Sequence, residues 1–175
     1  MSNFTLKLPD TVEVEGNLYP IKTNFSYWLM FANVIKNPKT TLGELDFLYN
    51  GTPPRDRITG FNALYDFYNP IKEIPRPSGG TGKVLLDYVI DFDLIYSAFM
   101  DKYKIDLYDE KTKLHWWKFQ ALLSGLSGTK LNDVMGYRAY TGKDKDLIKL
   151  RNSWALPQSK ELSQATKDFN ALFDK

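Results

Sequence analysis

The residues that could do chemistry in this chain are few. His115 is the single histidine and sits in LHWWKFQALLSGL, residues 114–126; Asp87, Asp91 and Asp93 bunch together, Asp106, Asp109 and Glu110 follow, and GGTGK spans residues 79–83. Paired carboxylates serve as acid and base or ligate a hard cation, and a histidine moves protons or binds metal. A glycine-rich loop ending in lysine can cradle phosphates. None of the three meets the full demand of its chemistry. The acidic groups lack the D-x-D-x-D-G-x5-E spacing of a calcium loop, and acids are common at helix starts, where they oppose the macrodipole, so capping is the expected role. GGTGK has Pro77 where the phosphate loop needs its first glycine and Val84 where it needs a metal-binding hydroxyl. His115 has no second histidine to complete a metal site, and the absence of cysteine removes thiolate nucleophiles, disulfides and Cys-based zinc. The expectation is a protein without catalytic residues, metal or cofactor.

What remains is binding, and composition narrows it. The 175 residues are 43% hydrophobic and 25% charged, a globular balance suited to one domain. Basic residues number 23 against 21 acidic ones, interspersed for a net +2, so nothing electrostatic points to nucleic acid. No window approaches the roughly 18 to 20 apolar residues of a membrane span, and MSNFTLKLPD lacks a basic, apolar leader. The chain therefore reads as soluble and unexported. Aromatic residues at 15% suggest rings reserved for a partner.

Periodicity supplies the elements. Residues 11–23 alternate apolar and polar around Glu15-Gly16-Asn17 and predict a β-hairpin, with Pro20 confining the second strand to an edge or to one-sided pairing. Thr23 or Asn24 can cap a helix carrying Phe25, Trp28, Leu29, Ala32 and Ile35; residues 41–50 and 56–69 repeat the helical pattern, the latter with Phe61, Leu64, Tyr65 and Tyr68 as its stripe. Residues 69–83 hold three prolines and three glycines without apolar rhythm and predict a mobile loop. Residues 84–93 fit a short strand or the approach to a helix, which Asp91 or Asp93 would cap and whose stripe is Phe92, Ile95, Tyr96, Phe99 and Tyr103. Helices over about 111–126, 130–140 and 143–154 follow. The fold class is mainly α: one helical domain over residues 1–157, about six to eight helices with a small N-terminal β-hairpin. Residues 158–175 form an amphipathic extension in which Leu162, Ala165, Phe169 and Phe173 share a helical face.

Residues 114–126, wound at about 100° per residue, put His115, Phe119, Leu122 and Leu126 on one stripe, with Trp116 at its margin. Leu114, Trp117 and Ala121 fall on a second. Such a helix is either covered on both sides or covered on one and used for binding on the other. His115, on the first stripe, is expected to be a hydrogen-bonded core residue with a structural role.

DYVIDFDLIYSAFMDKYKIDL, LHWWKFQALLSGL, MGYRA and WALP, with the opening VEVEGNLYPIKTNFSYWLMF, resemble the bacteriophage gp-fifteen family, encoded in the tail modules of long-tailed phages and prophages of Gram-positive bacteria. Residues 36–85 carry nothing distinctive of it, and the family usually ends near Pro157. The resemblance implies a non-enzymatic tail assembly chaperone in the host bacterial cytoplasm. Its partner would be the tape measure protein, with other tail assembly chaperone subunits as further partners. A virion structural role, as a tail-completion or connector component, is the alternative, and a cryptic metal- or nucleotide-dependent enzyme a more distant one. A chaperone for a long helical protein needs apolar grooves and aromatic anchors; Leu114, Trp117, Ala121, Phe169 and Phe173 are the candidate partner-binding residues. The defective phosphate loop gives a first prediction. Titration with ATP should show no saturable binding at micromolar concentration, and binding abolished by Lys83→Ala would contradict it.

Overall fold

The computed structural model describes residues 7–37, 39–69 and 84–157. GGTGK and the extension bearing Phe169 and Phe173 lie outside the described residues, as does all of the expected loop except Asn69. The architecture is mainly α, with a two-stranded N-terminal hairpin, six α-helices and one 3-10 helix among the described residues. Chain contacts gather into two compact units, Met1–Lys72 and Glu73–Lys175.

In the first unit, β1 (Thr11–Val14) pairs antiparallel with β2 (Asn17–Pro20), and Val14 faces Asn17 across a two-residue turn. Glu15 and Gly16 both take positive φ, 52° and 77°, the combination that lets a tight turn follow the strands' right-handed twist. Alternation buries Val12 and Val14 and leaves Leu18 67% exposed. Pro20 has no N–H but keeps its carbonyl, which accepts from Asn50 N at 2.9 Å; Lys22 N then donates to Leu48 O at 2.8 Å. The chain thus starts pairing with residues 48–50 at the point where it leaves β1.

Helix α1 (Phe25–Val34) begins after Asn24, whose amide donates to Ser26 Oγ rather than capping the helix. Phe31 and Asn33 are buried as well as the expected Phe25, Trp28, Leu29 and Ala32, so α1 is covered on more than one face. Trp28 is fully buried, and its indole N–H donates to Lys22 O at 2.9 Å. Residues Leu42–Leu48 wind as a 3-10 helix, with the Glu44 carboxylate accepting from both Thr41 N (2.8 Å) and Thr41 Oγ1 (3.0 Å). Helix α2 (Arg57–Tyr68) is capped by Asp56, which accepts from Ile58 N, Thr59 N and Thr59 Oγ1.

The buried face of α2 differs from the expected stripe. Gly60, Leu64 and Phe67 are buried, whereas Tyr65 is 45% exposed. The cause is Gly60: a Cβ there would lie 2.7 Å from Pro54 Cγ and 3.0 Å from the Tyr49 hydroxyl. Only glycine allows so close an approach, and with Gly60 inward, Phe67 meets Trp28 at 4.6 Å between ring centroids.

The second unit holds α3 (Phe92–Tyr103), α4 (Trp116–Ser124), α5 (Lys130–Ala139) and α6 (Lys145–Ser153). Residues 84–91 are neither strand nor helix, and the Asp87 carboxylate organises their turn by accepting from Val89 N and Ile90 N. Phe92, Ile95, Ala98 and Phe99 are the buried face of α3. Its Phe99 stacks on Phe119 of α4 at 5.1 Å, and Phe119 on Trp116 at 5.5 Å. Helix α4 starts five residues later than expected, because 109–113 turn through the Asp109 carboxylate, which accepts from Lys111 N.

Asp91 corrects another expectation. It occupies the N-cap position of α3, but its side chain does not cap the helix. Both of its oxygens accept from the Arg138 guanidinium of α5, at 2.6 and 2.8 Å, and one also accepts from Asp87 N at 2.9 Å. Arg138 donates further to Leu85 O (2.9 Å) and Trp154 O (2.7 Å). The two side chains are only 7% and 2% exposed. Removing one member strands a buried charge, which typically costs about 3 to 5 kcal/mol. Arg138→Ala should therefore destabilise the second unit by about that much in urea unfolding. A loss below about 1 kcal/mol, the value of an exposed pair, would refute this.

Candidate functional site

The residues that looked most like chemistry are engaged in structure. Asp87 and Asp91 are accounted for above, Asp93 accepts from the Tyr108 hydroxyl at 3.1 Å, and Asp106 accepts from Tyr108 N at 2.9 Å. Among the described residues no group of His, Asp or Glu is arranged to hold a metal ion. His115 is half-buried at the N-cap of α4, where its Nδ1 accepts from Trp117 N at 3.1 Å. An N-cap acceptor of this kind is typically worth about 1 kcal/mol. The hydrogen bond gives the histidine a structural role, but it is not the core residue expected: it is half-buried and caps the start of the helix instead of joining its buried stripe.

The adjacent tryptophans divide the work. Trp116 is fully buried, beside Tyr88 at 5.8 Å, whereas Trp117 is half-buried with His115 edge-on at 6.1 Å. Of the three residues on the second stripe, Leu114 is only 9% exposed and precedes the helix, while Ala121 is open to solvent. The surface that this stripe offers is therefore the accessible part of Trp117 with Ala121.

A broader apolar surface lies in the first unit, and it includes three of the four residues of the expected α2 stripe together with Ile58. Ile58, Phe61, Tyr65 and Tyr68 recur at i, i+3, i+7 and i+10 along α2, which puts them on one face. Ile58 is 67% exposed, while Phe61 and Tyr68 are half-buried. The rings form a ladder, Phe61 to Tyr65 at 5.9 Å and Tyr65 to Tyr68 at 6.3 Å. Phe31 of α1 supports both ends, 6.3 Å from Phe61 and 5.2 Å from Tyr68. The ladder is thus held from below and open above, which suits a rigid contact surface.

Beside it is a shallow groove between the 3-10 helix and α2, with room for about one water molecule and with Leu42, Leu45, Pro54, Phe61 and Leu64 among its walls. Asp46 and Arg57 form an ion pair on its lining, and both keep a third or more of their side-chain area in solvent. At that exposure the pair adds little stability, but it leaves the groove without a net charge. Tyr49, also on the lining, donates to Gly60 O at 3.2 Å.

Comparison with known proteins bears on the chain as a whole. The family model described as Bacteriophage Gp15 protein matches residues 4–160. That span includes residues 36–85, where no distinctive residue was visible, and stops before Phe169 and Phe173. No curated protein and no solved structure matches the chain.

The groove yields a pH prediction. Burial pushes the Tyr49 phenol up to about 12 from its ordinary 10.0, with the Arg57 charge partly opposing the shift. The unfolded chain releases this proton near pH 10 while the folded chain holds it to about 12, so stability is complete below the lower value and falls as pH rises between the two. Urea unfolding of the parent should therefore weaken more steeply across that interval than unfolding of Tyr49→Phe. Parallel profiles would show that the fold does not retain the phenol's proton.

Proposed function

The chain belongs to the bacteriophage Gp15 protein family, and on that premise we propose that it is a non-catalytic tail assembly chaperone. It would keep the tape measure protein soluble in the host bacterial cytoplasm until tube protein assembles around it. The observation that carries this reading is the ring ladder of α2, partly open to solvent, backed by Phe31 and flanked by a shallow groove without net charge. A long helical partner rich in apolar faces aggregates unless those faces are covered. Helix-in-groove recognition covers them with aromatic and aliphatic anchors at helical spacing. Ile58, Phe61, Tyr65 and Tyr68 have that spacing. Trp117 and Ala121 offer a second, smaller contact, and Phe169 and Phe173 remain candidates from sequence.

Co-expression with a tape measure protein from the same phage tests the reading. A soluble complex should form, and Ile58→Ser with Tyr65→Ser should weaken it at least about tenfold, a change of about 1.4 kcal/mol, with little change in unfolding midpoint. Trp117→Ala should cost at least about 1 kcal/mol of affinity if its accessible part is an anchor. Unfolding by about 3 to 5 kcal/mol would instead assign that ring to the core. Failure of the partner to become soluble would remove the chaperone reading, and recovery of this chain from purified particles would favour a tail-completion or connector component.

A further inference from the structure

The helices of the second unit are held in two different ways. Helices α3, α4 and α5 each bury at least two side chains, but α6 buries none, and Leu147, Ile148 and Leu150 are only half-covered. Besides the partial cover of these three side chains, polar and cation–π contacts hold it near its ends. After its last turn, Trp154 O accepts from Arg138 Nε at 2.7 Å, and the Lys130 ammonium lies 5.2 Å from the Trp154 ring and 5.5 Å from that of Tyr137. Before its first turn, the Tyr140 hydroxyl accepts from Asp144 N at 2.9 Å, while Arg151 Nη1 reaches Tyr140 O at 3.3 Å. In the connection from α5, Gly142 lies against the Tyr140 side chain.

We propose that α6 is a strap on α5, which opens and closes as one piece about residues 140–144 while α3, α4 and α5 stay folded. Three features of the contacts support this. A segment with few buried apolar contacts opens at a free energy well below that of global unfolding. A helix of nine residues does not persist alone in water, so once α6 leaves α5 its own hydrogen bonds are lost together. Opening also spares the buried ion pair: Arg138 gives up one bond, to Trp154 O, and keeps Leu85 O and both oxygens of Asp91. The Lys130 clasp, between the Tyr137 and Trp154 rings, is the contact that sets how often the strap opens.

Hydrogen–deuterium exchange on the full chain, with fragments that isolate residues 149–153, tests the proposal. These amides should exchange at least about a hundredfold faster than those of residues 96–103 in α3, with one common protection factor. Lys130→Met keeps the aliphatic stem and removes the charge; it should speed exchange in α6 several-fold and leave α3 unchanged. Protection of α6 equal to that of α3 would overturn the proposal, since α6 would then belong to the cooperative core. A graded increase from one end would overturn it in favour of fraying. A Lys130→Met variant that leaves α6 unchanged, or accelerates α3 as much, would overturn the assignment of the clasp.

Discussion

Arg138 places a guanidinium in the interior, and the described residues of the second unit are arranged around it. A guanidinium in a protein interior needs an opposite charge and acceptors for its remaining N–H groups. Asp91 supplies the charge, and Leu85 and Trp154 supply carbonyls. Each acceptor comes from a different stretch: the turn before α3, the N-cap of α3 and the end of α6. One side chain therefore fixes where three segments meet α5. The ion pair adds more to uniqueness than to stability, because an apolar cluster of the same volume would hold the elements together without choosing their register.

Around that point the aromatic residues do the filling. Trp116, Phe119 and Phe99 stack in sequence beside Tyr88, a continuous apolar layer between α3 and α4. The first unit uses the same material differently. There Trp28 and Phe67 fill the core, Gly60 lets Pro54 and Tyr49 press against α2, and the rings of Phe61, Tyr65 and Tyr68 are left partly in solvent. Rings held on a supported face lose little entropy on binding, whereas rings on a mobile loop would lose more. The proposed binding role rests on this contrast between covered and supported-but-open aromatics.

Much of this was legible in the sequence. The hairpin followed from alternation about Glu15-Gly16, where positive φ at both residues suits the turn, and the helices from apolar recurrence. MGYRA, within the stretches that suggested the family, contains the buried Arg138. These features are local, or depend on residue identity alone. His115 was expected to be a core residue from the stripe it shares with Phe119, and only the structure shows it as a half-buried cap.

The features that sequence could not give are those that depend on distant neighbours. Periodicity says that a helix has an apolar side but not which of two overlapping stripes faces inward, and on α2 the choice fell to Gly60, because Pro54 approaches too closely for any side chain there. Asp91 had the right type and place for an N-cap, yet Arg138, 47 residues later, claimed its carboxylate. Charge-assisted bonds in a dry interior are stronger than a cap at a solvated helix end, so the distant partner won. Sequence determined which residues are apolar, charged or free to turn; tertiary structure decided which of them remain open to a partner, since exposure is set by what the rest of the chain brings alongside.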